Sequence, residues 1–493
     1  MSCVIHLLLV VLLGSATVNA QNQRPPPRPT TAATPSKPST SSSSSKTTST
    51  SSQSVATTSI AKLATSATSQ SSSGSSFSSA WSSITSQSST GSSIIPAQTP
   101  STTSVPSGYI RGVNIGAWLL LEPWMNTDLF SGTTAIDELT FDALPSASSA
   151  LSNHWATYFT EADVEFIAGY GMNALRIPIG FWAFDTLGTP FISGAQAYLD
   201  QAIVWARASG LKVLVDIHGS PGSQNGWDHS GNATGCSWQL GSNTTYLGDS
   251  MLNNINVLKQ VVTKYGSTQY ADVVYAIEIA NEPISWGANN IDVTKNWASV
   301  AYSAMKSVAT NPDVQILMHD GFMGPQDWYD LASAINSNSA SPQFALDVHL
   351  YQNQVASDSS LNMTQHIQNA CNWGNTAKNS LLPVYVGEFS AAVNICVNPD
   401  GSNFGDDGTQ SCTVTGCQCT STVSIDQWSP ALKNLTRMYW EAQIQAFEHA
   451  NAGYFLWGFG AWGGWSMRDL YSYGVIGDTI NERVYGTQCT FVV

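Results

Sequence analysis

The chain has 493 residues, with 18 Lys and Arg against 33 Asp and Glu, and a formal net charge of -15. An acidic excess of that size argues against nucleic acid or an anionic membrane as partner and suits a neutral ligand. The length would hold two or three domains of ordinary size, yet the composition divides the chain sharply near residue 107.

At the amino terminus, Met1 to Ala20 contains an apolar run from Leu7 to Leu13 and then small residues ending at Ala20. That is the pattern of a cleaved secretory signal, although its start lacks Lys or Arg. The run falls short of the ~20 residues that a membrane-spanning helix needs. Residues 21–107 begin with three prolines at 25–27 and continue in Ser/Thr tracts, with nine Ser or Thr in ten at residues 41–50. Such a segment has too little apolar surface to offset its ordering entropy and is expected to be disordered; in a secreted chain it reads as an O-glycosylated linker. Its five charges are all basic, so residues 108–493 carry the other 13 basic residues against all 33 acidic ones.

Residues 108–493 are long enough for one large core. Apolar, β-branched runs mark eight strand candidates: 109–115, 174–179, 213–218, 275–280, 315–320, 344–351, 383–389 and 453–459. Helical periodicity lies between most of them, at 195–209, 251–265, 294–308 and 430–450, and after Thr160, whose Ser/Thr-x-x-acid pattern with Asp163 is a capping box. Eight alternations read as a (β/α)8 TIM barrel with elaborated loops. A doubly wound open sheet is the alternative, but the chain has no Gly-x-Gly-x-x-Gly turn, and polar residues stand at nearly every strand's far end.

Two of those polar residues are glutamates. Glu282, in Asn281-Glu282-Pro283, and Glu388, in Gly387-Glu388-Phe389-Ser390, stand where apolar runs meet their loops, a place that packing explains poorly. Glycoside hydrolysis needs two carboxyl groups, one to protonate the leaving oxygen and one to attack the anomeric carbon or activate water. Arg176, inside Leu175-Arg176-Ile177-Pro178, must find a carboxylate or hydroxyl partner if buried. His218, His349, Tyr351 and Trp457 close other runs, at the barrel face where active sites form.

Arg111-Gly-Val-Asn-Ile-Gly-Ala-Trp-Leu-Leu-Leu-Glu-Pro123, Arg176-Ile-Pro-Ile-Gly180, His218-Gly-Ser-Pro-Gly-Ser-Gln-Asn-Gly-Trp-Asp228, Asn281-Glu282-Pro283 and Gly387-Glu388-Phe-Ser390 together resemble the fungal exo-β-1,3-glucanases of glycoside hydrolase family 5. The resemblance covers nearly all of residues 108–493. It implies that Glu282 is the acid/base and Glu388 the nucleophile of a two-step displacement that retains configuration. It further implies that Arg176 and Tyr351 favour the Glu388 anion, that Asn281 contacts the sugar 2-hydroxyl, and that His218 and His349 position hydroxyls and the acid pair. Glu122 and Asp228 would hold hydroxyls of the terminal glucose over a floor made by Trp457. The chain departs from the family pattern at Trp227, usually Phe, at His229, usually Asn, at Gln354, where an aromatic is familiar, and after Trp457, where it reads Gly458 to Trp465. The substrate-side set is therefore Glu122, Arg176, His218, Trp227, Asp228, His229, Asn281, His349, Tyr351 and Trp457.

Seven cysteines remain after residue 107, which permits three bridges and one thiol. The resemblance implies a Cys371 to Cys489 bond and leaves Cys236, Cys396, Cys412, Cys417 and Cys419 open. Cys417 and Cys419 lack a second pair or His ligands at zinc-site spacing, and Asp400, Asn403, Asp406 and Asp407 fit no regular calcium loop, so neither metal nor cofactor is expected. Sequons at Asn232, Asn243, Asn362 and Asn434 mark surface turns if they carry glycan. The expectation is a monomeric, secreted or wall-located enzyme acting on β-glucan. The alternatives are the same chemistry on β-1,6-glucan or other β-glucosides, and a non-catalytic glucan-binding wall protein.

Overall fold

The computed structural model describes residues 108–337, 343–378, 380 and 382–491; the signal and linker read at 1–20 and 21–107 lie outside them. The strands, in chain order, are β1 (Ile110–Asn114), β2 (Ala174–Gly180), β3 (Lys212–Gly219), β4 (Val274–Glu278), β5 (Gln315–His319), β6 (Phe344–Leu350), β7 (Val384–Phe389), β8 (Ile395–Val397), β9 (Asn403–Gly405), β10 (Gln418–Cys419) and β11 (Gly453–Leu456). β1 to β7 follow one another in parallel, and β11 closes the circuit by pairing with both β7 and β1. The result is a closed eight-stranded parallel barrel with helices, and the open sheet is excluded. β8 to β10 form a separate small antiparallel sheet that the sequence reading did not anticipate.

A parallel barrel buries both faces of each strand, which is why the strands read as apolar runs. One apolar residue from each of the eight barrel strands, from Ile110 on β1 and Ala174 on β2 round to Phe455 on β11, joins in a cluster of its own. Side chains alternate with a period of two, so the next inward position on each strand is two residues on. There the filling changes from apolar to charged: Arg176 on β2, Asp216 on β3, Glu278 on β4 and Asp347 on β6, each with no solvent exposure. The strands thus set a charged layer on an apolar plug.

The helix Glu161–Tyr170 begins with Thr160 and Asp163 in the expected capping box. The helix Pro430–Ala450 has Pro in its first turn and Ser429 accepting from the Leu432 N–H. Helices Ala147–Thr157 and Met363–Ala377 were not read from the sequence. Sulfur pairs join Cys371 to Cys489, Cys396 to Cys419 and Cys412 to Cys417, and Cys236 carries a free thiol. The first ties the chain's end to the helix Met363–Ala377; the second links β8 to β10. The carboxylates of Asp400 and Asp407 are occupied by their own turns, bonded to Ser402 and Thr409. Among the described residues no helix is long and apolar enough to cross a membrane.

Candidate active site

Arg176 organises the charged layer. Its Nε donates to Glu278 at 2.9 Å, Nη1 to Asn114 at 2.9 Å and to Glu388 at 2.8 Å, and Nη2 to Asn281 at 2.9 Å, with Asp216 at 3.1 Å. All five of these partners stand on other strands or on the loop that follows one. A buried guanidinium demands such partners, since an unpaired one is strongly destabilising. Burial pushes the Glu278 carboxyl up and Asp347 to about 7, with Arg176 opposing both shifts. Glu278, Asp216 and Asp347 were absent from the sequence-based site. Asp216 and Asp347 are nevertheless visible as single acids within Val-Leu-Val-Asp216-Ile-His and Leu-Asp347-Val-His.

β4 stops at Glu278, short of the expected residue 280, so Asn281 and Glu282 lie in the following loop. Backbone pairing still steers that loop: Ile279 N–H donates to Leu317 and Asn281 N–H to Ile217. Glu282 itself adopts φ 45, a left-handed conformation that a residue with a side chain seldom takes. The segment after β3 braces it. Gln224 Nε2 donates to the carbonyls of His218 and Asn281 at 2.7 and 2.8 Å, and Asn225 Nδ2 donates to the carbonyl of Glu282 at 3.1 Å. These two amides give the string between Gly219 and Asp228 a structural task that the sequence did not disclose.

His349 stands between the two glutamates. Its Nδ1 is 2.6 Å from Glu282 Oε1 and 3.4 Å from Glu388 Oε2. A shared neighbour at those distances holds the two oxygens within about 6 Å of each other, compatible with the ~5–5.5 Å carboxyl separation of retaining glycosidases. Glu388 also accepts from Tyr351 Oη at 2.7 Å. Burial pushes Glu282 up to about 8. Burial pushes Glu388 up as well, against Arg176 and the Tyr351 hydroxyl, which draw it down. Of two carboxyls this close, one holds the proton. Glu388 has a guanidinium and a phenol in direct contact, and both favour its anion. His218 and His349 are lowered by burial, so both rings favour the neutral form.

The glutamates open into a pocket with about 460 Å³ of empty space, open solvent included. Of the sequence-based set, Glu122, His218, Asp228, His229, Tyr351 and Trp457 line it with them. Trp457 lies parallel to the His218 ring, 5.6 Å between centroids. Gly116 has no room for a side chain, because a Cβ would stand 2.7 Å from the Trp457 ring and 3.3 Å from Glu122 Oε1. Arg176, Asn281, His349 and Trp227 are not among its lining residues; the Trp227 ring lies beside those of His229 and Phe322. Trp124, Trp465 and Gln354 also line the pocket. Trp124 donates to Glu122 Oε2 at 2.9 Å, and the ring of Trp465 packs against Tyr351 at 5.0 Å. Trp124 directly follows a matching string and Trp465 ends the segment that departs from the family pattern, but their convergence on one pocket has no sequence signal.

A closed parallel barrel with paired acids at the carboxyl ends of its strands has the architecture of a barrel glycosidase. Comparison with known proteins narrows the class: residues 139–407 match the model of Cellulase (glycosyl hydrolase family 5), and the chain belongs to that family of hydrolases. It is 35% identical over 397 residues to the probable glucan 1,3-beta-glucosidase A of Aspergillus fumigatus, spanning 78% of this chain and 91% of that one. It is 33% identical over 397 residues to the glucan 1,3-beta-glucosidase of Blumeria graminis, spanning 77% and 89%. Among solved structures, rutinosidase from Aspergillus niger shares the fold, with a TM-score of 0.57 at 19% identity over 75% of this chain and 98% of that one.

Proposed function

We propose that the protein is a secreted glycosidase that releases glucose from the non-reducing ends of β-1,3-glucan with retention of configuration. The observation that carries this reading is the pair Glu282 and Glu388 joined through His349 Nδ1 in a pocket that Trp457 also lines. The relatives' names supply the glucan.

In the first step Glu388 attacks the anomeric carbon while Glu282 gives its proton to the glycosidic oxygen, and the leaving chain departs as an alcohol. The charge of Glu388 is consumed as its ester forms. Arg176 does not become an uncompensated buried charge at that point, because Glu278 and Asp216 remain beside it. In the second step Glu282, now ionised, takes a proton from water, the water oxygen bonds to the anomeric carbon, and Glu388 leaves as carboxylate. Asn281, fixed by Arg176 at 2.9 Å, offers its amide to the sugar 2-hydroxyl. Glu122 and Asp228 accept from the hydroxyls of the terminal glucose, which closes the pocket to longer chains and makes the cleavage exo-acting.

A different linkage keeps this chemistry. Gln354 and Trp465 line the mouth where the leaving sugar sits, so β-1,6-glucan and other β-glucosides belong in the same substrate panel. The decisive measurement is product analysis on laminari-oligosaccharides, recording anomer and length. β-Glucose released one unit at a time is the expected outcome. Initial α-glucose would mean inversion, longer products an endo-enzyme, and no turnover on any β-glucoside a binding protein.

A further inference from the structure

With Oε1 of Glu282 held by His349 at 2.6 Å, Oε2 is the oxygen left to meet a leaving group. Nε2 of His229 lies 3.4 Å from that same Oε2, a gap that a small rotation of either side chain closes to a hydrogen bond. His229 is itself well placed. Its ring is 5.4 Å from the ring of Trp227 and 5.4 Å from that of His218, and its backbone N–H donates to Asp228 Oδ1 at 3.2 Å within the turn Asp228–Ser230. It shares the pocket wall with Glu282 and Asp228. The family that the sequence resembles usually has Asn here.

We propose that His229 is a positioning residue for the general acid, holding Oε2 of Glu282 on the leaving-group side of the pocket while His349 holds Oε1. This rests on the reading of Glu282 as the acid. A carboxyl gripped at one oxygen still turns about its terminal torsion, which is broad, whereas proton transfer needs the acid oxygen within hydrogen-bond reach of the leaving oxygen. A grip on the second oxygen removes that freedom. A neutral imidazole with its proton on Nε2 donates to Oε2 in both steps, so the proton that Oε2 carries in the first step stays free for the glycosidic oxygen.

Acid assistance matters most for a poor leaving group, so the test compares kcat/KM on laminaribiose, whose leaving sugar needs a proton, with kcat/KM on dinitrophenyl β-glucoside, whose phenolate does not. His229→Ala is expected to lose about tenfold more on laminaribiose than on the aryl glucoside, part of the hundredfold or more that a general acid contributes. His229→Gln, whose amide nitrogen reaches about as far as Nε2, is expected to recover most of the loss. Equal losses on both substrates, or none on either, would overturn the proposal. Glu282→Gln separates the two levels. If it falls on laminaribiose alone while His229→Ala shows no such split, only the role of His229 is wrong; if it falls equally on both, Glu282 is not the acid and both readings go.

Discussion

A side chain on Gly387 would collide with the carboxylate of Asp347, whose Oδ1 accepts the Gly387 N–H. On the other side, Asn114 Nδ2 donates to the Gly387 carbonyl at 2.7 Å. The residue before Glu388 is therefore clamped by its backbone alone, inside the layer that Arg176 organises.

Gly387→Ala is expected to destabilise the fold by about 1–3 kcal/mol through overpacking. It should also reduce kcat/KM by about a hundredfold, because a displacement of order 1 Å at the nucleophile has that effect. Thermal melts and kinetics on the same preparation check both. Wild-type values in both would show that Asp347 can move aside without cost.

The proposed nucleophile has a stereochemical signature. Glu388→Ala should abolish turnover of laminaritriose, and azide should restore cleavage of an activated β-glucoside, giving the α-glucosyl azide. Retained hydrolysis in that variant would remove Glu388 from the mechanism.

Activity and stability should both fall on the alkaline side. Glu282 must be protonated to act as acid, so kcat/KM should decline as pH rises through about 8. For stability, Glu282, raised to about 8, and Asp142 and Asp347, each raised to about 7, have folded values above their unfolded ones. Their contribution is complete below the ordinary carboxylate range and is lost as pH rises from there to 7–8, because over that window the unfolded chain has released protons that the folded one retains. A lower melting temperature at pH 8.5 than at pH 5 is the expected result.

Cys489→Ser should lower the melting temperature by several degrees. The bond to Cys371 spans 118 residues, for which the chain-entropy estimate is about 4–5 kcal/mol. The loss should not extend to unfolding, because Gln445 Oε1 also accepts from the backbone N–H groups of Gln488 and Cys489. Calorimetry of the variant beside the parent measures the difference.

Deletion of residues 21–107 with the signal kept should leave turnover of laminaritriose nearly unchanged, since every proposed catalytic residue lies after them. A tenfold fall, corrected for folded protein, would mean that the segment takes part in the barrel's function.

The sequence by itself determined the barrel's eight strands and the two glutamates. Parallel strands buried on both faces leave unbroken apolar runs, and a carboxylate at the end of such a run has no packing reason to be there. It also determined that Arg176, if buried, needed a carboxylate or hydroxyl partner, because a guanidinium inside an apolar run cannot be left unpaired. Which acids those were, only the tertiary structure decided. Asp216 and Glu278 lie 40 and 102 residues beyond Arg176 along the chain, and β-sheet register and closure bring them to one level of the barrel. The same holds for His229 against Glu282 and Trp465 against Tyr351: each contact joins loops from different strand ends. Period and composition are local properties that a linear reading recovers. The meeting of distant side chains depends on the shear and circumference of the closed barrel, which no single segment encodes.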